Sequence, residues 1–292
     1  MISRTKMSNY ENPSAERKGI NKLKELTGPL HTLPDFIIIG APRTGTTALY
    51  DYMIKHPCIE KSRYKEIHYF NREYFRGINW YKLFFPLKIK KFYFTKIKKN
   101  KFMTGEASVL YLHHPHAPKR MHELLPNVKI IALLRNPIDR AYSSHQYRWK
   151  INFKESLDFE HAVEKEEYFI KNEFEKMEKD GSYYSRKFYD HSYCSLGTYA
   201  EQLERWFKYF PREQFLIIQS EEFFSKTPEV MDKIYDFLNL PKHKLIEYKK
   251  IHSSNYKKNM TTETRKKLVE FFKPHNERLY KLLGTNFHWD EN

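Results

Sequence analysis

Cysteine and long apolar runs are both scarce in this chain of 292 residues. The two cysteines, Cys58 and Cys194, lie far apart and belong to no metal-ligand spacing, which disfavours a disulfide scaffold or a zinc site and predicts reduced thiols. No segment reaches the roughly 18 consecutive apolar residues of a membrane span. Residues 1–30 are polar and have no apolar core segment of a secretory signal, so we expect a cytoplasmic protein.

Acidic residues are outnumbered by basic ones, 36 against 52, which gives a net charge of +16. Such a balance is typical of proteins that bind a nucleotide, a nucleic acid, an acidic glycan or a membrane surface, although a composition rich in Lys, Asn, Ile and Tyr explains it equally well without a partner. The densest lysine run, residues 88–101, is interleaved with aromatic residues. It fits a polyanion-binding patch, but a solvated basic face is the simpler explanation.

Apolar runs alternate with helical patterns along the chain. Phe36–Ile39, Val128–Leu134 and Phe215–Ile218 are short continuous apolar runs, which suit strands buried on both faces of a parallel sheet. A helix is predicted over Thr46–His56, because apolar residues recur there on one helical face and Pro57 follows. Strands that alternate with helices predict an α/β protein with a mainly parallel sheet.

Helix boundaries and domain limits follow from capping residues and from composition. Asn136 is predicted to cap a helix that begins at Pro137, and Thr261 a C-terminal helix that breaks at Pro274 and then restarts. The region Leu157–Lys179 is predicted to be helical and highly charged. With no internal repeat or evident linker, we expect one domain over residues 34–292, preceded by a flexible arm over residues 1–33.

The turn that follows the first predicted strand has the composition of a phosphate-binding loop. Its glycine lets the backbone curl closely around a ligand, and the helix start beyond it directs free N–H groups and a favourable dipole to the same place. Open α/β sheets bind ligands at this carboxyl edge. The candidate phosphate-binding residues of the turn are Arg43, Thr44, Gly45, Thr46 and Thr47.

A second candidate anion site follows the second predicted strand. Arg135 leaves that strand at the same sheet edge as Arg43, and Ser143 lies on the next helix, from which it can face back. A charged hydrogen bond to a phosphate contributes about 1.5–3 kcal/mol. Two anion sites at one sheet edge imply a ligand with two phosphate-like groups.

At this point the sequence resembles the sulfotransferase family. The first loop is similar to the family's 5′-phosphosulfate loop, and Arg135 with Ser143 is similar to its 3′-phosphate motif. The most similar branch is that of the heparan-type glycan sulfotransferases and their bacterial relatives. Further ordered matches to that branch extend the resemblance over residues 34–289. They are Lys65-Glu-Ile-His-Tyr-Phe70, Gly77-Ile-Asn-Trp-Tyr81, Phe84-Phe-Pro86, Gly105-Glu-Ala-Ser108, Tyr111-Leu112, Gly197-Thr-Tyr-Ala-Glu-Gln-Leu203 with Trp206, Asn276-Glu-Arg-Leu-Tyr280 and Phe287-His-Trp289.

The resemblance implies a P-loop-like three-layer α/β fold, with a central mainly parallel sheet flanked by helices. It also implies a transferase that moves a sulfuryl group in line from 3′-phosphoadenosine 5′-phosphosulfate (PAPS) to a hydroxyl or amine. A carbohydrate is the favoured acceptor, and a lipid, a small alcohol and a peptide stay open. No metal is expected, because fixed cations neutralise the charge, and no nucleic acid partner is expected.

The resemblance also assigns roles to individual residues. Glu66 is the candidate general base, although a surface carboxylate paired with Lys65 would have the same sequence. Arg43 and Lys65 would contact the phosphosulfate, and His68 would orient Glu66 or the acceptor, a structural histidine being equally compatible. The family's late basic loop over the 3′-phosphate is not evident, and Lys257-Lys258 occupies about the right place to substitute for it.

Two other classes of protein compete with this interpretation. A P-loop nucleotide kinase or hydrolase shares the loop, but it should have a lysine in a Gly-Lys-Ser/Thr sequence and an acidic magnesium ligand after a strand, neither of which is evident. A basic nucleic-acid-binding protein would explain the charge but not Arg135 with Ser143. The neighbouring His113, His114 and His116 lack the carboxylate or cysteine spacing of a metal site.

Overall fold

The computed structural model describes residues 25–150, 157–248 and 260–289. Its sheet has the strand order β2-β3-β1-β4-β5. Every pair of neighbouring strands in it runs parallel, which confirms the predicted parallel α/β sheet. The strands are β1 (Phe36–Gly40), β2 (Ile59–Lys61), β3 (Met103–Ala107), β4 (Lys129–Leu134) and β5 (Phe215–Gln219).

Helices connect the strands and cover the sheet. The α-helices are α1 (Thr46–Met53), α2 (Gly77–Lys82), α3 (Lys88–Phe92), α4 (Ala117–Leu124), α5 (Pro137–Lys150), α6 (Phe159–Glu164), α7 (Glu166–Ile170), α8 (Glu173–Lys179), α9 (Arg186–His191), α10 (Tyr199–Phe207), α11 (Ser220–Ser225), α12 (Thr227–Phe237) and α13 (Thr262–Leu283). Short 3₁₀ segments lie at Gly28–Leu30, Tyr74–Arg76, Ser195–Gly197 and Arg212–Gln214, and π-helical turns at Tyr69–Glu73 and Tyr93–Ile97.

The sheet divides the core into two apolar layers. Successive side chains of a strand point to opposite faces, so Ile37 and Ile39 of β1 join one cluster while Phe36 and Ile38 join the other. The first cluster is completed by α2, α4, α10 and α13, and the second by α1 and α12. The result is the predicted three-layer arrangement, which leaves the carboxyl ends of the strands to carry loops.

The predicted helix caps are present in the structure. Asn136 Oδ1 accepts the N–H of Ile138 at 3.0 Å at the start of α5, and the Thr261 hydroxyl accepts the N–H of Thr264 at 3.2 Å at the start of α13. Each side chain satisfies an N–H group that has no partner within its helix.

The predicted break of the C-terminal helix at Pro274 is wrong. Helix α13 runs through the proline without interruption. A proline inside a helix costs about 3 kcal/mol, because a hydrogen bond is lost and the ring crowds the preceding turn. The buried residues of α13 lie on both sides of Pro274, namely Leu268, Phe272, Asn276 and Leu279. Their packing against the protein offsets that cost, which the local sequence could not reveal.

The charged region Leu157–Lys179 is helical, but it is divided into α6, α7 and α8. Asn172 lies in the left-handed region at φ +62° and separates the last two of these helices. Within the predicted N-terminal arm, residues 25–33 are described, and there His31 forms an isolated bridge with Leu87. The division into an arm over residues 1–33 and a domain over residues 34–292 stays a prediction.

Candidate functional site

The loop between β1 and α1 has a backbone that requires its glycine. Gly45 adopts φ +100°, and a Cβ there would lie 2.6 Å from Cζ of Phe224. Arg43 also lies in the left-handed region, at φ +68°. Helix α1 begins directly after Gly45, so the N–H groups of its first turn are directed at the carboxyl edge of the sheet. This arrangement suits an anion with several oxygen atoms.

The three threonines of this loop differ in exposure. Thr44 is fully buried, and its hydroxyl donates to the carbonyl of Ala41 at 2.7 Å. Its own carbonyl accepts the hydroxyl of Ser220 at 2.6 Å. Thr44 therefore shapes the loop from within, and its hydroxyl is already used. Thr46 is also buried and Thr47 half-buried, and both supply backbone N–H groups at the start of α1.

The structure brings the two predicted anion sites together. Arg43 Nε lies 3.4 Å from the Oγ of Ser143, a long hydrogen bond. Arg135 Nη1 donates to the backbone carbonyl of Arg43 at 3.3 Å. The Arg43 side chain therefore contacts Ser143, and the Arg135 side chain contacts the backbone of the Arg43 loop, where the directly paired strands β1 and β4 end. These groups can hold a ligand with two phosphate-like ends.

Tyr147 contacts this candidate site and was not predicted from the sequence. The guanidinium carbon of Arg43 lies 4.3 Å from the centre of the Tyr147 ring. Tyr147 and Ser143 are four residues apart on α5, so they share one face of the helix and contact the same arginine. That spacing was the available signal. A cation–π contact of this kind contributes about 0.5–2 kcal/mol, and it limits the positions open to the Arg43 side chain.

Glu66 lies in a compact group of polar contacts. Its carboxylate is 3.0 Å from Lys65 Nζ and 3.5 Å from His68 Nε2. The N–H of Val109 donates to the same carboxylate at 3.2 Å. The Glu66 side chain keeps 28% of its surface exposed, so it remains accessible to a substrate. The predicted site residues Lys65 and His68 therefore both contact the carboxylate of Glu66.

Two opposing effects set the pKa of Glu66. Burial raises the pKa, but the charges of Lys65 and His68 and the hydrogen bonds from Lys65 and Val109 outweigh it. The net result is a pKa below the ordinary value of 4.5. The carboxylate is therefore ionised at neutral pH, which is the state a proton acceptor requires.

The Glu66 group adjoins the candidate phosphate-binding loop between β1 and α1. A Cβ placed on Gly40 would lie 2.9 Å from the carbonyl oxygen of Val109, the residue whose N–H binds Glu66. The neighbouring Leu112 N–H also donates to Ile39 of β1 at 2.8 Å. Glycine at position 40 therefore permits the segment after β3 to pack against the end of β1. That contact holds the Glu66 carboxylate at the edge of the sheet from which the loop emerges.

Glu106 is a second carboxylate that the sequence reasoning did not assign. It is completely buried on β3 and accepts hydroxyl hydrogens from Tyr81 at 2.6 Å, Ser108 at 2.6 Å and Tyr111 at 3.1 Å. Ser108 Oγ in turn accepts the backbone N–H of His68 at 3.0 Å. Burial raises the pKa of Glu106 to about 7, against the lowering effect of the three hydroxyl donors. Glu106 thus holds the backbone of His68, close to Glu66, through the hydroxyl of Ser108.

His113 and His116 make packing and backbone contacts that are typical of structural histidines. The ring of His113 stacks on Phe188 at 4.9 Å, and burial lowers its pKa well below the usual 6.5. The ring of His116 contacts the carbonyl of Met177 at 2.8 Å. Within residues 25–150, 157–248 and 260–289, no group of three or more His, Cys, Asp or Glu side chains could hold a metal ion. Lys257 and Lys258 lie outside the described residues.

Comparison with known proteins identifies the family. Residues 33–289 match the family described as "Sulfotransferase domain". The chain belongs to the sulfotransferase family. It is 30% identical to the "Membrane-associated sulfotransferase kil1" of Dictyostelium discoideum, over 90% of this chain and 68% of that protein. It is 31% identical to the human "Bifunctional heparan sulfate N-deacetylase/N-sulfotransferase 3", over 86% of this chain but 30% of that protein.

The fold of the sulfotransferase has a solved counterpart. The crystal structure of a sulfotransferase from Alicyclobacillus acidocaldarius matches 89% of this chain and all of its own, with 28% identity and a TM-score of 0.67. The family's sulfuryl donor is PAPS, so the chain is a PAPS-dependent transferase. This result decides against the kinase or hydrolase alternative. The groups that meet at the ends of β1 and β4 are of the kind that the donor's two charged ends require.

Among the described residues, no helix combines the length and the apolar character needed to cross a bilayer.

Proposed function

We propose that the sulfotransferase transfers the sulfuryl group of PAPS to a hydroxyl or amine of a carbohydrate, with Glu66 as general base. One observation carries the proposal: Arg43, Arg135 and Ser143 converge at the carboxyl ends of paired strands, in a fold that brings the ionised Glu66 group to the same edge of the sheet. A nucleotide held at both ends there would present its sulfuryl group beside the loop.

In the proposed reaction the acceptor atom attacks sulfur and gives its proton to Glu66. The new bond joins the acceptor oxygen or nitrogen to sulfur, and the bond between sulfur and the bridging phosphate oxygen breaks. The electron pair of that bond leaves with adenosine 3′,5′-bisphosphate. Arg43 and Lys65 would stabilise the charge that develops on the leaving phosphate, and His68 would hold the Glu66 carboxylate in place.

Donor binding is proposed to divide between the two loops. The backbone N–H groups of Thr44, Gly45, Thr46 and Thr47, together with the side chain of Arg43, would hold the 5′-phosphosulfate. Arg135 and Ser143 would hold the 3′-phosphate. Lys257 and Lys258 stay proposed partners of that phosphate, on the resemblance alone.

A carbohydrate acceptor is supported by the printed name of the human relative, which acts on heparan sulfate. The test uses radiolabelled PAPS with three acceptors: a heparan-type glycan with free amines, the same glycan with its amines acetylated, and a small alcohol. Label on the first glycan but not on the acetylated one identifies an amine acceptor, and label on both identifies a hydroxyl. Label on the small alcohol with none on either glycan contradicts the carbohydrate proposal.

A cytoplasmic location is the prediction from sequence, whereas one relative is named membrane-associated. Fractionation of cells that express the complete native protein tests this directly. Recovery in the soluble fraction supports the cytoplasmic proposal, and recovery with membranes that withstands high salt contradicts it.

A further inference from the structure

The lysine-rich helix, residues 88–97, exposes its apolar side chains. It consists of α3 and the π-helical turn Tyr93–Ile97 that continues it. Residues at spacings of three, four and eight share one helical face. On that face, the exposed fractions are 68% for Ile89, 52% for Phe92, 46% for Tyr93 and 62% for Ile97. Four large apolar side chains thus form one exposed stripe.

Ion pairs and one aromatic contact attach this helix to the protein. Lys90 Nζ is 2.6 Å from Glu60 on β2, and Lys91 Nζ is 2.9 Å from Asp35, which directly precedes β1. Phe94 adds an apolar contact, with its ring centre 5.8 Å from that of Phe102. A helix on the surface of a globular protein normally buries its apolar stripe and exposes its charges. In this helix the apolar stripe is exposed, whereas Lys90 and Lys91 are paired with carboxylates of the protein. A contiguous apolar surface is therefore available to a partner.

Positive charge surrounds the exposed stripe. Lys88, Lys96 and Lys99 form no ion pair with any carboxylate of the described residues. Apolar side chains bordered by lysines match an anionic bilayer, because the apolar groups enter the boundary between headgroups and acyl chains while the lysines meet lipid phosphates and carboxylates. Each lysine near such a surface contributes about 1 kcal/mol.

Two other partners fit these residues less well. An acidic glycan would satisfy the lysines, but it would leave Ile89 and Ile97 in water, with no gain from the hydrophobic effect. A second copy of the chain would bring like charges together, in a protein whose net charge is +16.

We propose that the lysine-rich helix binds flat on the surface of an anionic lipid membrane. Asp35, to which Lys91 is attached, stands at the amino end of β1, whereas Arg43 follows the carboxyl end of the same strand. The bilayer and the donor site would therefore lie at opposite ends of β1. An enzyme bound in this way keeps its site open to an acceptor in the aqueous phase.

The test is flotation of the full chain with vesicles of phosphatidylcholine, with and without phosphatidylserine. We expect flotation only with the phosphatidylserine vesicles, and a loss of binding as salt is raised. The triple variant Ile89→Ser/Phe92→Ser/Ile97→Ser should lower the partition coefficient at least about tenfold. The matched control is Phe75→Ser, because Phe75 is 78% exposed but lies outside the helix, and it should float like the wild type.

A charge variant separates lipid binding from simple polyanion binding. Lys88→Gln/Lys96→Gln should weaken flotation about fivefold for each lysine removed, on the basis of about 1 kcal/mol per charge. The rate of transfer to a soluble acceptor should be unchanged in every variant, so failure of this proposal is distinct from failure of the proposed chemistry. If the triple variant unfolds at a lower temperature than the wild type, Ile89→Ser alone replaces it.

Three results would overturn the proposal. One is a wild-type protein that does not float with anionic vesicles. Another is a triple variant that floats as well as the wild type while the lysine variant loses both vesicle and heparin binding, since the helix would then bind polyanions in general. A third is a wild-type dimer that the triple variant converts to a monomer, which would assign the stripe to a second copy.

Discussion

Ser108 connects the buried carboxylate of Glu106 to the backbone of His68. Its hydroxyl donates to Glu106 at 2.6 Å, and the same oxygen accepts the N–H of His68 at 3.0 Å. His68 lies at φ +60° and Glu66 at φ +61°, a conformation that non-glycine residues seldom adopt without support. We therefore interpret Glu106 as a positioning residue that acts on Glu66 through Ser108 and His68.

Replacing Glu106 with glutamine should change how stability depends on pH. The pKa of Glu106 is about 7 in the folded chain against an ordinary 4.5, so between these values the folded state binds more protons than the unfolded state. Its contribution is fully present below pH 4.5 and is lost as the pH rises to 7, by on the order of 3 kcal/mol. Urea unfolding at several pH values should show this decline in the wild type and a smaller one in Glu106→Gln.

Ser108→Ala is the matched control for that variant. It breaks the link to His68 but keeps the carboxyl group, so the decline in stability with pH should remain. We expect kcat to fall in both Ser108→Ala and Glu106→Gln, because each variant disturbs the chain of contacts that positions Glu66. Equal kcat values for Ser108→Ala and the wild type would limit Glu106 to a role in folding.

Glu66→Gln should abolish most of the transfer while the fold and donor affinity are retained, because the amide cannot accept the acceptor's proton. The pKa of Glu66 is lowered, so in the wild type the acid limb of kcat/KM should lie below pH 4.5. The contribution of this ionised carboxylate to stability should likewise be present above pH 4.5 and be lost on acidification. A variant with wild-type kcat would remove Glu66 from the role of base.

Arg135→Ala should mainly weaken binding of adenosine 3′,5′-bisphosphate. Loss of a charged hydrogen bond worth about 1.5–3 kcal/mol corresponds to a 10- to 200-fold rise in Kd. Isothermal titration calorimetry without magnesium measures this directly, and Arg43→Ala provides the comparison, since its main loss should be in kcat. An unchanged Kd in Arg135→Ala would separate Arg135 from the 3′-phosphate.

Tyr147 should influence catalysis through Arg43. Tyr147→Ala removes the ring over the guanidinium group, and a loss of about 0.5–2 kcal/mol corresponds to a 2- to 30-fold fall in kcat. Tyr147→Phe keeps the ring and should retain most of the activity. Equal losses in both variants would indicate that the hydroxyl, and not the ring, is the functional group.

Gly45→Ala should destabilise the loop for two reasons. An alanine is strained at φ +100°, and its Cβ would lie 2.6 Å from Phe224. Gly77→Ala is the control for strain alone, because Gly77 has φ +78° and a Cβ there would meet no atom within 4 Å. Donor affinity should fall in Gly45→Ala and not in Gly77→Ala, and adding Phe224→Ala should recover part of the loss.

The proximity of Arg43 to Arg135 and Ser143 could be predicted from the sequence, because the loops that follow parallel strands emerge at one edge of a sheet. Glu106 was not assigned, since β3 reads Met-Thr-Gly-Glu-Ala and lacks the apolar run by which β1 was recognised. Its burial depends on Tyr81 and Tyr111, which come from other segments. The exposure of the apolar stripe on the lysine-rich helix likewise depends on the ion pairs of that helix with Glu60 and Asp35, whose positions only the fold determines.

The proposed donor contacts come from the loops that follow the neighbouring strands β1 and β4, and most of them are made to the 5′- and 3′-phosphates, which stay on the nucleotide after transfer. The spent nucleotide keeps both ends after the reaction, so it should compete with fresh donor and leave slowly. We therefore expect turnover to be governed by the exit of the by-product, and an enzyme that removes adenosine 3′,5′-bisphosphate should accelerate the steady state without altering the first turnover.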